Sequence, residues 1–165
     1  MLDQNALDTL FNNARSHNGW LDSDVSNEQI NQIYELMKYG PTAANNSPAR
    51  ITFVKSAAAK QKLKAHLDEG NVDKAMAAPV IAIISYDIEF YEKLPFLFPH
   101  ADARSWYAGN DAKIKSAGEM NATLQGAYFM MAARSVGLDC GPMGGFNSDT
   151  LDKEFFADGK TKSIF

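Results

Sequence analysis

The sequence predicts a layered domain of the α+β or α/β class, in which long helices surround a few strands. Two short apolar runs, residues 51–54 and 80–84, are rich in β-branched side chains and indicate strands. Apolar side chains recur at helical spacing in several other stretches, above all between residues 111 and 136. A chain of 165 residues that is 45% hydrophobic and 22% charged fits one compact domain. These patterns do not predict the topology of the sheet.

The first half of the chain predicts three helices around the first strand. Apolar spacing indicates a helix over residues 5–16. A second helix begins at Ser26, because Ser26 to Gln29 has the form of a capping box, and it ends before Gly40. A third helix begins at Ser56 and extends to about Leu67. The stripe that we expect the second helix to bury consists of Ile30, Ile33, Tyr34 and Met37.

The second half predicts a central strand and a long helix. Residues 80–84 are apolar on both faces, which is typical of a strand that is covered on both sides. A long helix is predicted from about Asp111 to Val136. Because residues 124–133 are apolar nearly all round, we expect neighbours to cover the helix on every side. A last helix capped by Ser148 follows, and residues 163–165 begin a further strand.

Composition and charge exclude several classes of function. A net charge of −4 provides no electrostatic footprint for nucleic acid. One cysteine excludes an internal disulfide, and with three scattered histidines it cannot form a zinc site of the usual spacing. The N-terminus has no targeting pattern, and no apolar run approaches the ~20 residues of a membrane span. We therefore expect a cytoplasmic protein that binds no metal, nucleic acid or membrane.

Four polar or glycine-rich segments at the edges of predicted elements are the candidates for chemistry. They are the Arg15 segment (residues 15–18), the Pro41 loop (41–48), the Asn71 segment (71–74) and the Gly141 loop (141–146). Each has a plain structural explanation: a basic residue at a helix C-terminus, a turn, a solvated helix start and a turn glycine with positive φ. The chain contains no phosphate-cradling loop of nucleotide hydrolases, no dinucleotide-binding fingerprint and no serine-hydrolase elbow.

In this order and spacing the four segments resemble the FMN-binding segments of the nitroreductase family. The Arg15 segment is similar to the family's R-S-x-[R/K] motif, and the Pro41 loop to P-S-S-x-N-x-Q-P-W. The Asn71 segment is similar to N-x-x-K, and the Gly141 loop to P-x-[E/G/S]-G-F. The resemblance implies an α+β nitroreductase-like fold, with a mixed central sheet flanked by helices and a long central helix at a dimer interface. The residues that it implies bind FMN are Arg15, Ser16, Asn18, Pro41, Thr42, Ala43, Asn45, Asn71, Lys74, Pro142, Met143, Gly144 and Gly145.

The resemblance also implies roles for individual positions. Arg15 and Ser16 would contact the flavin phosphate, and Lys74 would stabilise the reduced ring. The Pro41 loop would contact the flavin of the other subunit. Asn18 stands where many family members carry a basic residue, and Ala43 stands where the family carries serine. One charge and one hydroxyl of the family pattern are therefore absent.

Within the family, residues from about 8 to 156 resemble the malonic semialdehyde reductases of pyrimidine degradation. Strings such as His17-Asn18-Gly19-Trp20 and Leu97-Phe98-Pro99-His100 carry this likeness. The implied activity is hydride transfer from NADH or NADPH, through FMN, to malonic semialdehyde, which yields 3-hydroxypropionate. The implied assembly is a homodimer with FMN at the subunit interface. A broad nitro- or quinone-reductase and a flavin-binding protein without turnover are the alternatives.

Residues 90–106, named here the aromatic segment, have no clear periodicity and form either a substrate lid or a satellite core. Three of them are candidate substrate contacts: Arg104 as a clamp for a carboxylate, His100 as a proton donor, and Trp106. None is assigned as a catalytic residue. The family continues with a further strand, a basic phosphate contact and an arm that crosses to the partner. We therefore expect residues 1–165 to be a single domain without that strand and arm.

Overall fold

A computed structural model describes residues 1–165 and contains seven α-helices and three strands. The helices are α1 (Gln4–Leu7), α2 (Asn27–Met37), α3 (Ala57–Lys64), α4 (Glu69–Ala77), α5 (Leu94–Leu97), α6 (Asp111–Ser135) and α7 (Ser148–Phe155). The strands are β1 (Ala49–Val54), β2 (Ile81–Asp87) and β3 (Thr161–Ser163). The predicted α+β class is confirmed. None of the helices is both long enough and apolar enough to cross a membrane.

The sheet has the strand order β1-β2-β3, so β2 is the central strand, as its apolar sequence predicts. Both pairings are antiparallel, with Val54 opposite Ile81 and Asp87 opposite Thr161. The sheet of these residues therefore differs from the mixed sheet that the resemblance implies. The reason is that each strand begins at the same end of the sheet at which the preceding strand ended. Neighbouring strands therefore run in opposite directions.

The long helix α6 packs one face against α2 and against strands β1 and β2. Close contact with the sheet depends on Gly118, where a Cβ would lie 2.3 Å from the Tyr86 ring. The prediction that neighbours cover α6 on every side is wrong for a single chain. Met120, Leu124 and Tyr128 are 57%, 47% and 44% exposed, because no other element of the chain lies over that face.

The helix of residues 5–16 is shorter than predicted. It consists of α1 and a π-helical turn, Asp8–Asn12, so the Arg15 segment follows the helix and is not part of it. On α2, Ile33 and Met37 are buried against α6, but Tyr34 is 58% exposed because it points away from that contact.

Helix caps agree with the sequence at two positions and differ at a third. Ser26 forms the predicted capping box with Gln29, and the Ser56 hydroxyl accepts a hydrogen bond from the backbone N–H of Ala59. The last helix is capped by Asn147 and not by Ser148, since the Asn147 side chain accepts from the backbone N–H of Thr150. The predicted helix of residues 56–67 ends at Lys64, and α4 begins separately at Glu69.

Candidate functional site

The Gly141 loop lies against the N-terminal turn of α4, which contains the Asn71 segment. The Asn71 side-chain amide donates to the Gly145 carbonyl at 2.9 Å, and the same carbonyl accepts from the Asp68 backbone N–H at 3.0 Å. A Cβ on Gly145 would lie 2.2 Å from Asn71 Nδ2. A larger residue at this position would therefore displace the ends of the Asn71 and Asp68 side chains.

The chain that follows the Arg15 segment joins the same surface. Trp20 Nε1 donates to the Lys74 carbonyl at 2.8 Å. A Cβ on Gly141 would lie 2.7 Å from the His17 carbonyl oxygen, and His17 Nε2 lies 3.6 Å from an Asp139 carboxylate oxygen. The Arg15 segment, the Asn71 segment and the Gly141 loop are thus brought together, and we call them the three-segment surface.

A cavity of about 670 Å³ opens beside this surface, within the size range of ligand pockets. Its lining is mostly apolar and includes core side chains of the sheet and of α6, such as Ile83 and Phe129. The members of the three-segment surface that line it are His17, Lys74, Gly141, Pro142, Met143 and Phe146, and Trp20 and Cys140 line it beside that surface. The cavity therefore combines an apolar interior with a polar border.

Lys74 provides an unpaired positive charge at this border. Its side chain is half-buried, and it makes neither an ion pair nor a side-chain hydrogen bond within the chain. A partly buried ammonium group without a partner is stabilised by an anion or another acceptor. Lys74 is therefore suited to hold a ligand that carries or develops negative charge.

The backbone at Gly144 faces open space. Neither Gly144 nor Gly145 has a positive φ, so the turn glycine with positive φ that would explain this pair is not present. A Cβ on Gly144 would meet no atom within 4 Å. Any requirement for glycine at this position must come from a molecule outside the chain.

Arg15, Ser16 and Asn18 are exposed at the edge of the surface. The Arg15 guanidinium donates to the carbonyls of Asn12 and Ala14 at 2.9 and 2.7 Å, which is the interaction expected at a helix C-terminus. Ser16 and Asn18 have no side-chain hydrogen bonds in the chain. Their polar groups are therefore available to a ligand.

Cys140 lines the cavity and packs partly buried against the α2–α6 contact. Burial raises the pKa of the Cys140 thiol. A thiol with a raised pKa is a poor nucleophile at neutral pH.

The Pro41 loop lies elsewhere, and none of its residues lines the cavity. The Ala43 backbone N–H donates to Asn121 Oδ1 at 2.8 Å, and Asn45 Nδ2 donates to the Leu97 carbonyl at 3.1 Å. Asn121 lies about 20 Å before the C-terminal end of α6, from which the chain continues to the Gly141 loop. The structure thus brings three of the four segments together and leaves the Pro41 loop apart.

The backbone of the Pro41 loop is strained. Ala44, Asn45 and Ser47 have φ values of 49°, 53° and 37°, in the left-handed region that non-glycine residues avoid. This conformation costs about 1–2 kcal/mol for Ala44 and for Ser47, whereas asparagine adopts it more readily. One internal restraint is the hydrogen bond from the Ser47 backbone N–H to Thr42 Oγ1, at 3.1 Å.

The aromatic segment forms a satellite core and also exposes aromatic side chains. Phe90 and Leu94 are buried, and Ala44 of the Pro41 loop packs against their cluster. Phe96 and Trp106 are 86% and 44% exposed. The Pro41 loop and the aromatic segment are consequently one packed unit.

Within this unit Arg104 is already paired. Its Nε and Nη2 atoms donate to the two carboxylate oxygens of Glu92, both at 2.7 Å, and the guanidinium lies 5.9 Å from the Tyr91 ring centre. The pairing lowers the pKa of Glu92 and raises that of Arg104. His100 is exposed, with its ring edge-to-face on Phe98 at 5.4 Å. A substrate carboxylate would have to compete with Glu92 for Arg104.

Two residues to which the sequence assigned no role support the site. Trp20 ties the chain after the Arg15 segment to α4, and Asn121 holds the Pro41 loop. Asn121 is 1% exposed in a largely apolar stretch of α6. A buried amide needs hydrogen-bond partners, so an asparagine in such a stretch is the signal that could have indicated a distant contact.

Comparison with known proteins identifies the family. A sequence model described as the nitroreductase family matches residues 13–164, most of the chain. The chain belongs to the nitroreductase family. A protein of Ralstonia nicotianae, provisionally named an NADH dehydrogenase/NAD(P)H nitroreductase, is 54% identical over 164 residues, which cover 99% of this chain and 84% of that protein.

Two solved structures of nitroreductases share the fold. One from Bacillus subtilis, provisionally named, superposes with a TM-score of 0.85 at 20% identity, over 98% of this chain and 86% of the other. One from Exiguobacterium sibiricum, also provisionally named and solved in complex with FMN, has a TM-score of 0.84 at 16% identity, over 99% and 86%. The predicted nitroreductase-like fold is thereby confirmed.

Proposed function

We propose that the protein is an FMN-dependent oxidoreductase that transfers hydride from NADH or NADPH to a small acceptor. The observation that carries the proposal is the convergence of the Arg15 segment, the Asn71 segment and the Gly141 loop beside one cavity. These segments are far apart in sequence, and each carries residue types that resemble the family's FMN motifs. The relative's name, which includes NAD(P)H nitroreductase, supports the nucleotide as donor. The single cysteine agrees with a cytoplasmic location.

The three-segment surface fits FMN chemically. Arg15 and Ser16 offer donors suited to the phosphate, and Lys74 offers an unpaired charge for the negative ring edge. The open space at Gly144 leaves room for close approach of a flat ring to the backbone. When bound, FMN supplies the group that accepts hydride and passes it on. The residues of the chain bind it, orient it and keep one face accessible.

Two observations support a homodimer that shares its flavin sites. The Pro41 loop, including Pro41, Thr42, Ala43 and Asn45, resembles the family's FMN-contacting motif but lies apart from the cavity of its own chain. The exposed apolar face of α6 is the kind of surface that a symmetric interface covers. We propose that each site combines the cavity of one subunit with the Pro41 loop of the other.

We propose malonic semialdehyde as the acceptor, on the strength of the subgroup resemblance. Hydride would add to the aldehyde carbon and a proton to its oxygen, which yields 3-hydroxypropionate. Arg104 is the candidate clamp for the carboxylate, His100 the candidate proton donor, and Trp106 a further contact. A broad nitro- or quinone-reductase is the second candidate. It is favoured by the ion pair of Arg104 with Glu92, because a paired guanidinium is not free to bind a substrate carboxylate.

The first experiment is spectroscopic. The purified full chain should be yellow, or become so with added FMN, and NADH or NADPH should bleach it without oxygen. Colourless protein that takes up no FMN would refute the cofactor. Yellow protein that neither nucleotide bleaches would instead support a flavin-binding protein without turnover.

The second experiment concerns the acceptor. The value of kcat/KM is measured for malonic semialdehyde, a nitroaromatic compound and a quinone under the same conditions. A preference of at least about tenfold for the semialdehyde, equivalent to ~1.4 kcal/mol in the transition state, supports the substrate assignment. Equal or better use of the uncharged acceptors supports the broad reductase.

A further inference from the structure

We propose that Asn121 and Gln125 are positioning residues that hold the Pro41 loop in the shape needed to contact a flavin. The inference rests on the proposed function, from which the role of the loop in flavin binding comes. Neither residue belongs to the four segments or lines the cavity. Their effect on the flavin would be exerted only through the loop.

The two side chains bind the backbone at Ala43, within the Pro41 loop, and at Ala49, the first residue after it. They are four residues apart on α6, hence on the same face of the helix, and they are 1% and 7% exposed. Asn121 Oδ1 accepts from the Ala43 backbone N–H at 2.8 Å, and Gln125 Oε1 accepts from the Ala49 backbone N–H at 2.9 Å. Asn121 Nδ2 is used within the helix, where it donates to the Ala117 carbonyl at 2.8 Å.

Strain between the anchors explains why the loop needs them. All three left-handed, non-glycine residues of the chain, Ala44, Asn45 and Ser47, lie between Ala43 and Ala49. A loop with such backbone angles relaxes unless rigid neighbours hold it. The helix α6 is the rigid neighbour, and the two amides are its hydrogen bonds to the loop.

The anchors also have a cost that stability alone does not explain. A buried amide gains little over an apolar side chain of the same shape, because it must first leave water. Two buried amides on the sheet-facing side of α6, one accepting from the Pro41 loop and one from the residue directly after it, are therefore better explained by the conformation they impose.

The test compares Gln125→Met with Gln125→Glu. Methionine keeps the length of the side chain but removes the acceptor for the Ala49 N–H, whereas glutamate keeps an acceptor oxygen. We expect Gln125→Met to raise the Kd for FMN at least about tenfold, and Gln125→Glu to restore most of the affinity. Asn121→Leu, at the other anchor, should act like Gln125→Met and serves as the second variant if one of them does not fold.

Ala132→Gly is the control, because it weakens the same helix at a buried position that packs against α2 and does not line the cavity. It should lower Tm without changing the Kd for FMN. An equal rise in Kd for Ala132→Gly and Gln125→Met at equal loss of Tm would overturn the positioning role.

Hydrogen exchange separates this inference from the proposed function. If the wild-type chain binds no FMN, the proposed function fails, but the anchors can still be tested in the protein without ligand. The Ala49 N–H should exchange at least about tenfold faster in Gln125→Met than in the wild type. Unchanged exchange there, and at Ala43 in Asn121→Leu, would overturn the inference.

Discussion

The three-segment surface and the Pro41 loop are built in opposite ways. On the three-segment surface, Ser16 and Asn18 have no partners, Lys74 is unpaired, and Gly144 faces open space. The Pro41 loop is strained, anchored by two buried amides and packed against the aromatic segment. The first region therefore has polar groups without partners in the chain, whereas contacts within the chain hold the second region in one conformation. A preformed contact avoids part of the ordering cost of binding.

The largest expected effect is on reductase activity, when a subunit with a substitution in one region is paired with a subunit with a substitution in the other. Lys74→Met removes the unpaired charge of the cavity, and Ala43→Trp adds bulk to an exposed loop position that its own chain tolerates. Each homodimer should lose most reductase activity. Co-expressed subunits should recover about a quarter of the wild-type activity, because about half of the dimers are mixed and each mixed dimer has one intact site.

The controls are mixed dimers isolated with two different affinity tags. A wild-type subunit paired with Lys74→Met should retain about half of the activity per dimer. If dimers of one Lys74→Met subunit and one Ala43→Trp subunit are no more active than either homodimer, the Pro41 loop does not contribute to the flavin site of the partner subunit. The structural difference between the three-segment surface and the Pro41 loop would remain, but the two regions would not form a shared site across a dimer.

Two glycines of the same loop should respond differently to alanine. Gly141→Ala places a Cβ 2.7 Å from the His17 carbonyl oxygen, so it should destabilise the fold by about 1–3 kcal/mol. Gly144→Ala meets nothing within 4 Å and should leave Tm unchanged while weakening FMN binding. Thermal unfolding without FMN and an FMN titration measure the two effects. A lower Tm in Gly144→Ala would show that the space beside Gly144 is not open.

The base of the Pro41 loop should be sensitive to alkali through Tyr86, which pairs with Ala49 and is buried. Burial and the nearby carboxylates of Glu119 and Asp152 raise the pKa of Tyr86 to about 12 from an ordinary value of 10.0. Below pH 10 both states keep the proton, so stability is unaffected. Between the two values the unfolded chain loses its proton first, and the free energy of unfolding falls by about 2 kcal/mol by pH 12.

Tyr86→Phe should remove the part of the fall in the free energy of unfolding at alkaline pH that comes from this tyrosine. Urea unfolding of both proteins at about pH 9 and about pH 11.5 measures it, and the difference between them cancels the other tyrosines. An identical fall in both would mean that Tyr86 is not the group that responds.

The smallest effect is expected in the aromatic segment. Glu92→Gln removes the charge that now pairs with Arg104 and should raise kcat/KM for malonic semialdehyde by about tenfold, the value of one charge-assisted hydrogen bond. A neutral nitroaromatic acceptor should be used as before. If both acceptors behave as with the wild type, Arg104 does not contact the substrate.

Two features whose signal lies in a few consecutive residues agreed with the sequence. The capping box at Ser26 and the central position of β2 are examples, since both follow from local hydrogen bonds or local apolarity. Exposure was not predictable in the same way. Tyr34 and Leu124 fit an apolar pattern but are 58% and 47% exposed, because burial depends on which distant element lies over a face.

The exact bounds of the break between α3 and α4 also depend on distant contacts. The chain turns at Asp68, whose backbone N–H is bound by the Gly145 carbonyl, and Leu67 forms an isolated bridge with Phe146. These partners are more than seventy residues away in sequence, so the sequence predicted a helix end near Leu67 and a helix start near Asn71 but not the observed bounds, Lys64 and Glu69.

By itself the sequence determined the family, the α+β class and four segments with the residue types of a flavin site. Residue types and short motifs are local properties, and they can be read without coordinates. Only the tertiary structure decided that three of these segments meet beside one cavity while the Pro41 loop is held elsewhere by Asn121 and Gln125. That division depends on contacts between residues 76 and 78 positions apart, which are made only when α6 packs against the sheet.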